Sequence, residues 1–274
     1  MFENKLYSNF DDGRLTTGFG IKLVASHDIV ALAKTAGYDT IFLDLQHSTI
    51  SVSDAGSLCS ASLLAGITPF VRVPTQCGSG YVQRILDGGA MGIAFPKINT
   101  VEEAEEAIMA TKFPPRGNRS HTSIMPHFES QHVGPKDMVE QLDQSGSVVI
   151  ILVETLECLD NVNAIARMDG VDALMVSATD LSLELGVLGD WDHKRFADAL
   201  MAVAMAASDC GKIFGITGLY TRPDICDNAI QCLGARYIVG NYDIGLLAMG
   251  MRKDMAQLNA VDYPTKELKK EAKK

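Results

Sequence analysis

Residues 39–51 read DTIFLDLQHSTIS: an apolar run of Ile41, Phe42 and Leu43, then Asp44, Gln46 and His47 within four positions. The apolar run reads as a buried strand. A carboxylate, an amide and an imidazole at its end either form a polar loop capping that strand or are reactive groups delivered to a site. Three other segments have the same form. PFVRVP places Arg72 inside an apolar strand, ILVET ends on Glu154 after an apolar run, and VSATDLS leads from another into Asp180. A buried guanidinium needs anionic partners, either acids of the chain or a substrate carboxylate. Each acid taken singly can cap the helix that follows it and offset the helix dipole. Two acids on adjacent strands repel, however, unless something positive lies between them. A divalent cation with oxygen ligands, its shell completed by water, fills that position. His47 alone is as easily a hydrogen-bonded structural histidine; beside such an ion it suits acid–base work.

The elements that must carry these groups alternate along the chain. Strand-like runs fall at 17–23, 39–44, 69–73, 91–96, 148–153, 172–177, 212–217 and 236–240. Helix-like segments fall near 27–36, 52–65, 79–88, 101–111, 157–167, 192–209, 222–233 and 243–258. Continuous apolar strands, each followed by a helix, imply a parallel sheet covered by helices. Eight such units fit an α/β fold of the closed (β/α)8 TIM-barrel kind, with the site at the C-terminal ends of the strands. An open doubly wound sheet is the alternative, but GFGIKLVAS is not the Gly-rich nucleotide loop such a sheet usually carries. The connection 113–147 is long, and loops of that length are commonly functional or disordered. Residues 114–136 are expected to form a loop over the barrel mouth, with a short helix at 137–143. His121, His127 and His132 in this loop lack the tight spacing of a zinc site. The segments GITG and VGNYDIG lie where some barrels bind phosphate, without being specific for it.

Bulk properties narrow the class. The 274 residues suffice for one large barrel domain, residues 1–274 with a core of about 15–260. A formal charge of −10 argues against a sequence-independent nucleic-acid binder. No apolar stretch approaches the roughly 20 residues of a membrane helix, and the N-terminus does not read as a signal peptide. The six cysteines form no CxxC pair and read as reduced thiols, so a cytoplasmic protein is expected. The tail KELKKEAKK reads as a solvated helix end.

GFGIK, AGYDTIFLDLQHS, TPFVRVP, ILDGGAMGIAFPKINTVEEAEEA, KFPPRGNRS, ILVET and SATDLS together, over about residues 15–255, resemble the HpcH/HpaI-type aldolases. These are metal-dependent class II enzymes that use pyruvate. The resemblance implies a (β/α)8 barrel whose last helix swaps between subunits of a homo-oligomer, a hexamer or trimer. It implies that Glu154 and Asp180 ligate Mg²⁺ or Mn²⁺, with Co²⁺ or Zn²⁺ as alternatives, and that the ion chelates the keto oxygen and carboxylate of a 2-oxo acid. Arg72 would hydrogen-bond the keto oxygen, and the backbone around Ser177, Ala178 and Thr179 would hold the carboxylate. His47 would move the proton of the aldol hydroxyl. Asp87, in RILDGGA, matches an acid paired with that histidine. It ends a helix running away from its own mouth, which suits service to a neighbouring subunit.

This chain also departs from the family pattern. D-x-E-H is here D-L-Q-H, which makes Gln46 a substrate-side residue that tunes the site. G-P-x-D-L-S is S-A-T-D-L-S, and G-x-R-G ends on Ser120. The leading expectation is a metal-dependent carbon–carbon lyase acting on a 2-oxo acid through a pyruvate enolate, with an aldehyde as the second product. One alternative decarboxylates oxaloacetate to the same enolate, as suits relatives such as macrophomate synthase. Another is a non-catalytic ligand-binding barrel.

Overall fold

The computed structural model describes residues 1–261; the charged tail lies outside them. Eight parallel strands close on themselves in sequence order. They are β1 (Thr16–Ile21), β2 (Thr40–Asp44), β3 (Thr68–Arg72), β4 (Gly92–Phe95), β5 (Val148–Val153), β6 (Ala173–Ser177), β7 (Ile213–Thr217) and β8 (Tyr237–Tyr242). The helices are α1 (Lys5–Asp11), α2 (Asp28–Ala36), α3 (Val52–Ala65), α4 (Ser79–Asp87), α5 (Val101–Thr111), α6 (Pro135–Ser145), α7 (Leu156–Ala166), α8 (Ala178–Glu184), α9 (Lys194–Asp209), α10 (Pro223–Gln231) and α11 (Asp243–Asn259). All eight strand runs read from the sequence are present, each within two residues of its expected bounds. Local chemistry fixes several helix starts. Ser51 with Asp54, and Thr100 with Glu103, form capping boxes on α3 and α5, each satisfying two backbone N–H groups that a helix start leaves unpaired.

Strand alternation divides the apolar residues between two cores. Outward residues such as Ile41, Leu43, Val71, Ile151 and Val176 pack under the helices. Inward residues such as Phe42, Phe70, Ile150, Leu152, Met175 and Tyr237 fill the barrel. Two inward positions of β1 are glycine because tyrosines lie across from them. A Cβ on Gly18 would sit 3.2 Å from the Tyr237 hydroxyl, and one on Gly20 would sit 2.5 Å from Tyr242 Cδ1.

The N-terminal end of the barrel is plugged by α1, which the sequence pattern did not reveal. Leu6 is fully buried with the interior cluster, and the Lys5 N–H donates to Thr68 Oγ1, at the first residue of β3, at 2.8 Å. The long connection belongs to this same end, not to the mouth as expected. His127 Nε2 lies 3.0 Å from the carbonyl of Ala90, just before β4, and the Phe2 N–H donates to the His127 carbonyl. The physical reason is direction: α5 has already carried the chain back from the mouth, and β5 must start at the far end. The connection folds around its own cluster of Phe113, Met125, Phe128, Met138 and Leu142, and α6 is longer than the expected 137–143.

Leu6→Ala removes apolar volume from the plug. It should lower the unfolding free energy by about 2–5 kcal/mol while catalysis at the opposite end is retained. Denaturant titration beside an activity assay checks this, and an unchanged midpoint would remove α1 from the core.

Candidate active site

The last inward position of each strand forms a ring at the mouth. Asp44 follows Phe42, Arg72 follows Phe70, Glu154 follows Leu152, Ser177 follows Met175 and Thr217 follows Gly215, all in period-two alternation. Register brings neighbours together: Asp44 stands opposite Arg72, and Ser177 opposite Thr217.

Asp44 is the most connected member of this ring, and the sequence reading gave it no role of its own. It is fully buried. Its Oδ1 accepts from Arg72 Nε at 3.0 Å and its Oδ2 from Arg72 Nη2 at 2.6 Å, a two-pronged match of carboxylate to guanidinium. The same Oδ1 accepts the backbone N–H groups of Gln46 at 3.0 Å and His47 at 3.1 Å. The Ser48 hydroxyl donates to the Asp44 carbonyl. One carboxylate therefore aims the guanidinium and shapes the loop that carries Gln46 and His47. Burial pushes its carboxyl up, but the Arg72 hydrogen bonds and charge hold it below the ordinary carboxylate value. Arg72 keeps Nη1 without a protein partner among the described residues. His47 is exposed, and Gln46 Oε1 is buried without a protein donor among the described residues.

Glu154 and Asp180 have the opposite electrostatics. Glu154 is 2% exposed and accepts the Lys97 N–H at 2.7 Å. Lys97 presents that N–H from a left-handed backbone, φ 55°. Burial pushes the Glu154 carboxyl up; the Lys97 N–H pulls it down, and the negative charge of Asp180 pushes it further up. Ser177 Oγ donates to Asp180 Oδ2 at 2.7 Å. Thr179 and Asp180 sit in the first turn of α8, where N–H groups lack helical acceptors. Ala178 is buried and Thr179 exposed.

Two neighbouring carboxylates offer the hard-oxygen donors that suit Mg²⁺ or Mn²⁺, not the nitrogen and sulfur set typical of zinc. Among the described residues no three or more His, Cys, Asp and Glu gather around one point. Water and substrate would therefore supply the remaining ligands.

Three side chains beyond those picked from the sequence share the mouth. Tyr242 is buried beneath it, near Arg72, and burial keeps its phenol neutral. Tyr220 meets Tyr242 edge-on, with centroids 6.1 Å apart. Lys22 Nζ lies 5.3 Å above the centre of the Tyr242 ring. Lys22 was legible in outline, because it follows Gly18 and Gly20 at the same spacing, directly after the strand ends; the tyrosines gave no such signal.

Asp87 is not part of this constellation. It ends α4 and pairs with Arg119, whose Nη2 is 3.0 Å away and whose side chain is fully buried. Of the loop histidines, His121 and His132 are exposed while His127 is buried alone. Burial moves His127 down to about 4. A groove of about 670 Å³ between α4 and α5 runs from Lys97, at the rim of the mouth, to Arg119.

Comparison with known proteins bears on the family and the fold. Residues 23–231 match the family model described as HpcH/HpaI aldolase/citrate lyase. The chain is 43% identical over 249 residues to a 4-hydroxy-4-methyl-2-oxoglutarate aldolase of Hapsidospora irregularis, covering 91% of this chain and 92% of that one. It is 40% identical to an aldolase of the same name from Chaetomium globosum, covering 90% and 91%. The fold is shared with an HpcH/HpaI aldolase from Desulfitobacterium hafniense, at a TM-score of 0.86 and 23% identity, over 96% of this chain and all of that one.

The raised Glu154 carboxyl has a consequence for stability. Between the unfolded and folded values, the native state holds a proton that the unfolded chain has released. Stability therefore falls as pH rises through that interval and stays lowered above it. In chelator-treated protein, Glu154→Gln should melt higher than wild type at pH 7, with the difference shrinking toward pH 4. A variant that melts lower at pH 7 would mean the charge is already compensated.

Proposed function

The chain belongs to the HpcH/HpaI aldolase/citrate lyase family, and from that premise we propose how this carbon–carbon lyase treats its 2-oxo acid. The substrate we infer is 4-hydroxy-4-methyl-2-oxoglutarate, after the activity for which the relatives at 43% and 40% identity are named. The observation that carries the reading is the mouth itself: a guanidinium fixed by Asp44 with Nη1 left over, near two acids that form no ion pair among the described residues.

Glu154 and Asp180 would hold a divalent cation, which when bound supplies Lewis-acid stabilisation of enolate charge. The Nη1 of Arg72 donates a hydrogen bond to the keto oxygen, where negative charge grows as the bond breaks. Exposed His47, held by its backbone N–H to Asp44, accepts the proton of the C4 hydroxyl. The C3–C4 bond then breaks, the C4 oxygen becomes a carbonyl, and the electron pair is left on the C3–C2–O unit. Return of a proton to C3 completes one pyruvate, and the C4–C5 fragment departs as another. Substrate pyruvate, oxaloacetate or an aldehyde partner would enter by the same mouth, and Ser177, Ala178 and Thr179 would line the side where the carboxylate sits.

Assembly is part of the proposal. Along α11 only Asp243 is buried, while Ile244, Leu246, Leu247, Met249, Met251, Met255 and Leu258 are exposed. An apolar face of that extent on a terminal helix favours cover by another copy, in a trimer or hexamer. Such assembly would also let Asp87 approach a neighbour's exposed His47.

Metal-loaded protein incubated with 4-hydroxy-4-methyl-2-oxoglutarate should release pyruvate. Release of CO₂ from oxaloacetate without any cleavage of the aldol would favour a decarboxylase instead. Arg72→Lys keeps charge but loses the planar fork. It should fold and lose about 10²–10³ in kcat, the size of one oxyanion donor; full activity would return Arg72 to a structural role. Light scattering at micromolar concentration should give an oligomer, and a monomer would defeat the shared role of Asp87.

A further inference from the structure

Lys22 has no part in the chemistry above, yet it stands in the mouth. Alternation along β1 turns Gly18 and Gly20 inward, and Lys22 follows directly after the strand ends at Ile21. Its ammonium lies over Tyr242, which itself fills the top of the barrel. Among the described residues no Asp or Glu lies within 4.0 Å of its Nζ. An ammonium on an aromatic face, half shielded from water and without a counter-anion, is a charge awaiting a partner.

The backbone beneath it is fixed. Asp243, 1% exposed, accepts the N–H groups of Lys22 at 3.1 Å, Leu23 at 2.9 Å and Val24 at 2.7 Å. Gly20 leaves the space that Tyr242 occupies. The pedestal of the ammonium is thus held from two sides, by Asp243 under the loop and by Tyr242 under the side chain. A floppy surface lysine would have neither.

The charges in the mouth suggest what it meets. Arg72 is matched by Asp44, and a divalent ion would offset Glu154 and Asp180, leaving Lys22 as an unmatched cation. We propose that Lys22 binds a second carboxylate of the substrate, the one on the departing fragment. The enzyme would then select 2-oxo acids whose carbonyl fragment is itself an acid, over those that release a neutral aldehyde. The inference rests on the 2-oxo-acid lyase reading and adds to it the residue that reads the distal end.

The test uses full-length metal-loaded protein and three readouts. The first is cleavage of 4-hydroxy-4-methyl-2-oxoglutarate, which carries the distal carboxylate. The second is cleavage of 4-hydroxy-2-oxopentanoate, which lacks it. The third is exchange of pyruvate C3 protons with deuterium, which reads enolate chemistry without any distal group. Lys22→Met should raise KM for the diacid about 10–100-fold, the worth of one charge-assisted hydrogen bond. It should leave the other two readouts near wild type, and Lys22→Arg should recover most of the loss. An unchanged KM for the diacid, or an equal loss on both substrates, overturns the role of Lys22. Wild type that neither exchanges pyruvate protons nor cleaves either substrate overturns the lyase reading, and this inference with it.

Discussion

The bidentate pair of Asp44 and Arg72 is the constraint on which the mouth depends. A fully buried carboxylate is unfavourable unless it is paired and hydrogen-bonded, and Asp44 has four donors, three on Oδ1 and one on Oδ2. Two come from the guanidinium and two from the backbone of Gln46 and His47. Strand register makes the pair possible, because parallel alignment of β2 with β3 sets Asp44 and Arg72 side by side on the inward face. Removing one partner of such a pair costs about 3–5 kcal/mol, since the other stays buried and unpaired. The same bonds that keep Arg72 in place therefore determine where its free Nη1 points and how the His47 loop leaves the strand.

The other half of the mouth is arranged in the opposite sense. Among the described residues neither Glu154 nor Asp180 has an ion-pair partner, and their mutual repulsion adds to the burial that raises the Glu154 carboxyl. A site with one satisfied pair and one unsatisfied pair is rigid on the first side and ready to take up positive charge on the second. Lys22 and Tyr242 bound the space between them and the opening. Stability is supplied elsewhere: by the two apolar cores, by the α1 plug, and by the connection folded across the far end.

Much of this was legible in the sequence because apolar runs and helix periodicity are local signals. The strands at 39–44 and 148–153 announce themselves by composition, and the C-terminal ends of strands follow from the barrel. Glu154, Asp180, Arg72 and His47 could be placed at the mouth for that reason. What was not legible was non-local. The two-pronged pairing of Asp44 with Arg72 depends on register between strands, across residues 28 apart in sequence. The 114–136 segment was expected at the mouth because length alone suggested a functional loop; chain direction puts it at the opposite end. The α1 plug is seven residues long and too short for its periodicity to stand out. Tyr242 as a floor requires knowing that Gly20 lies across from it.

The central claim is that Asp44 acts through Arg72, and a double-mutant cycle in kcat/KM measures it directly. Asp44→Asn, Arg72→Lys and the double variant are compared with wild type on 4-hydroxy-4-methyl-2-oxoglutarate. If the carboxylate works by holding the guanidinium, the double variant loses no more than the worse single one, with a coupling energy of about 1–3 kcal/mol. If the two losses simply multiply, Asp44 and Arg72 act independently, and the account of the mouth as built on their pairing is contradicted.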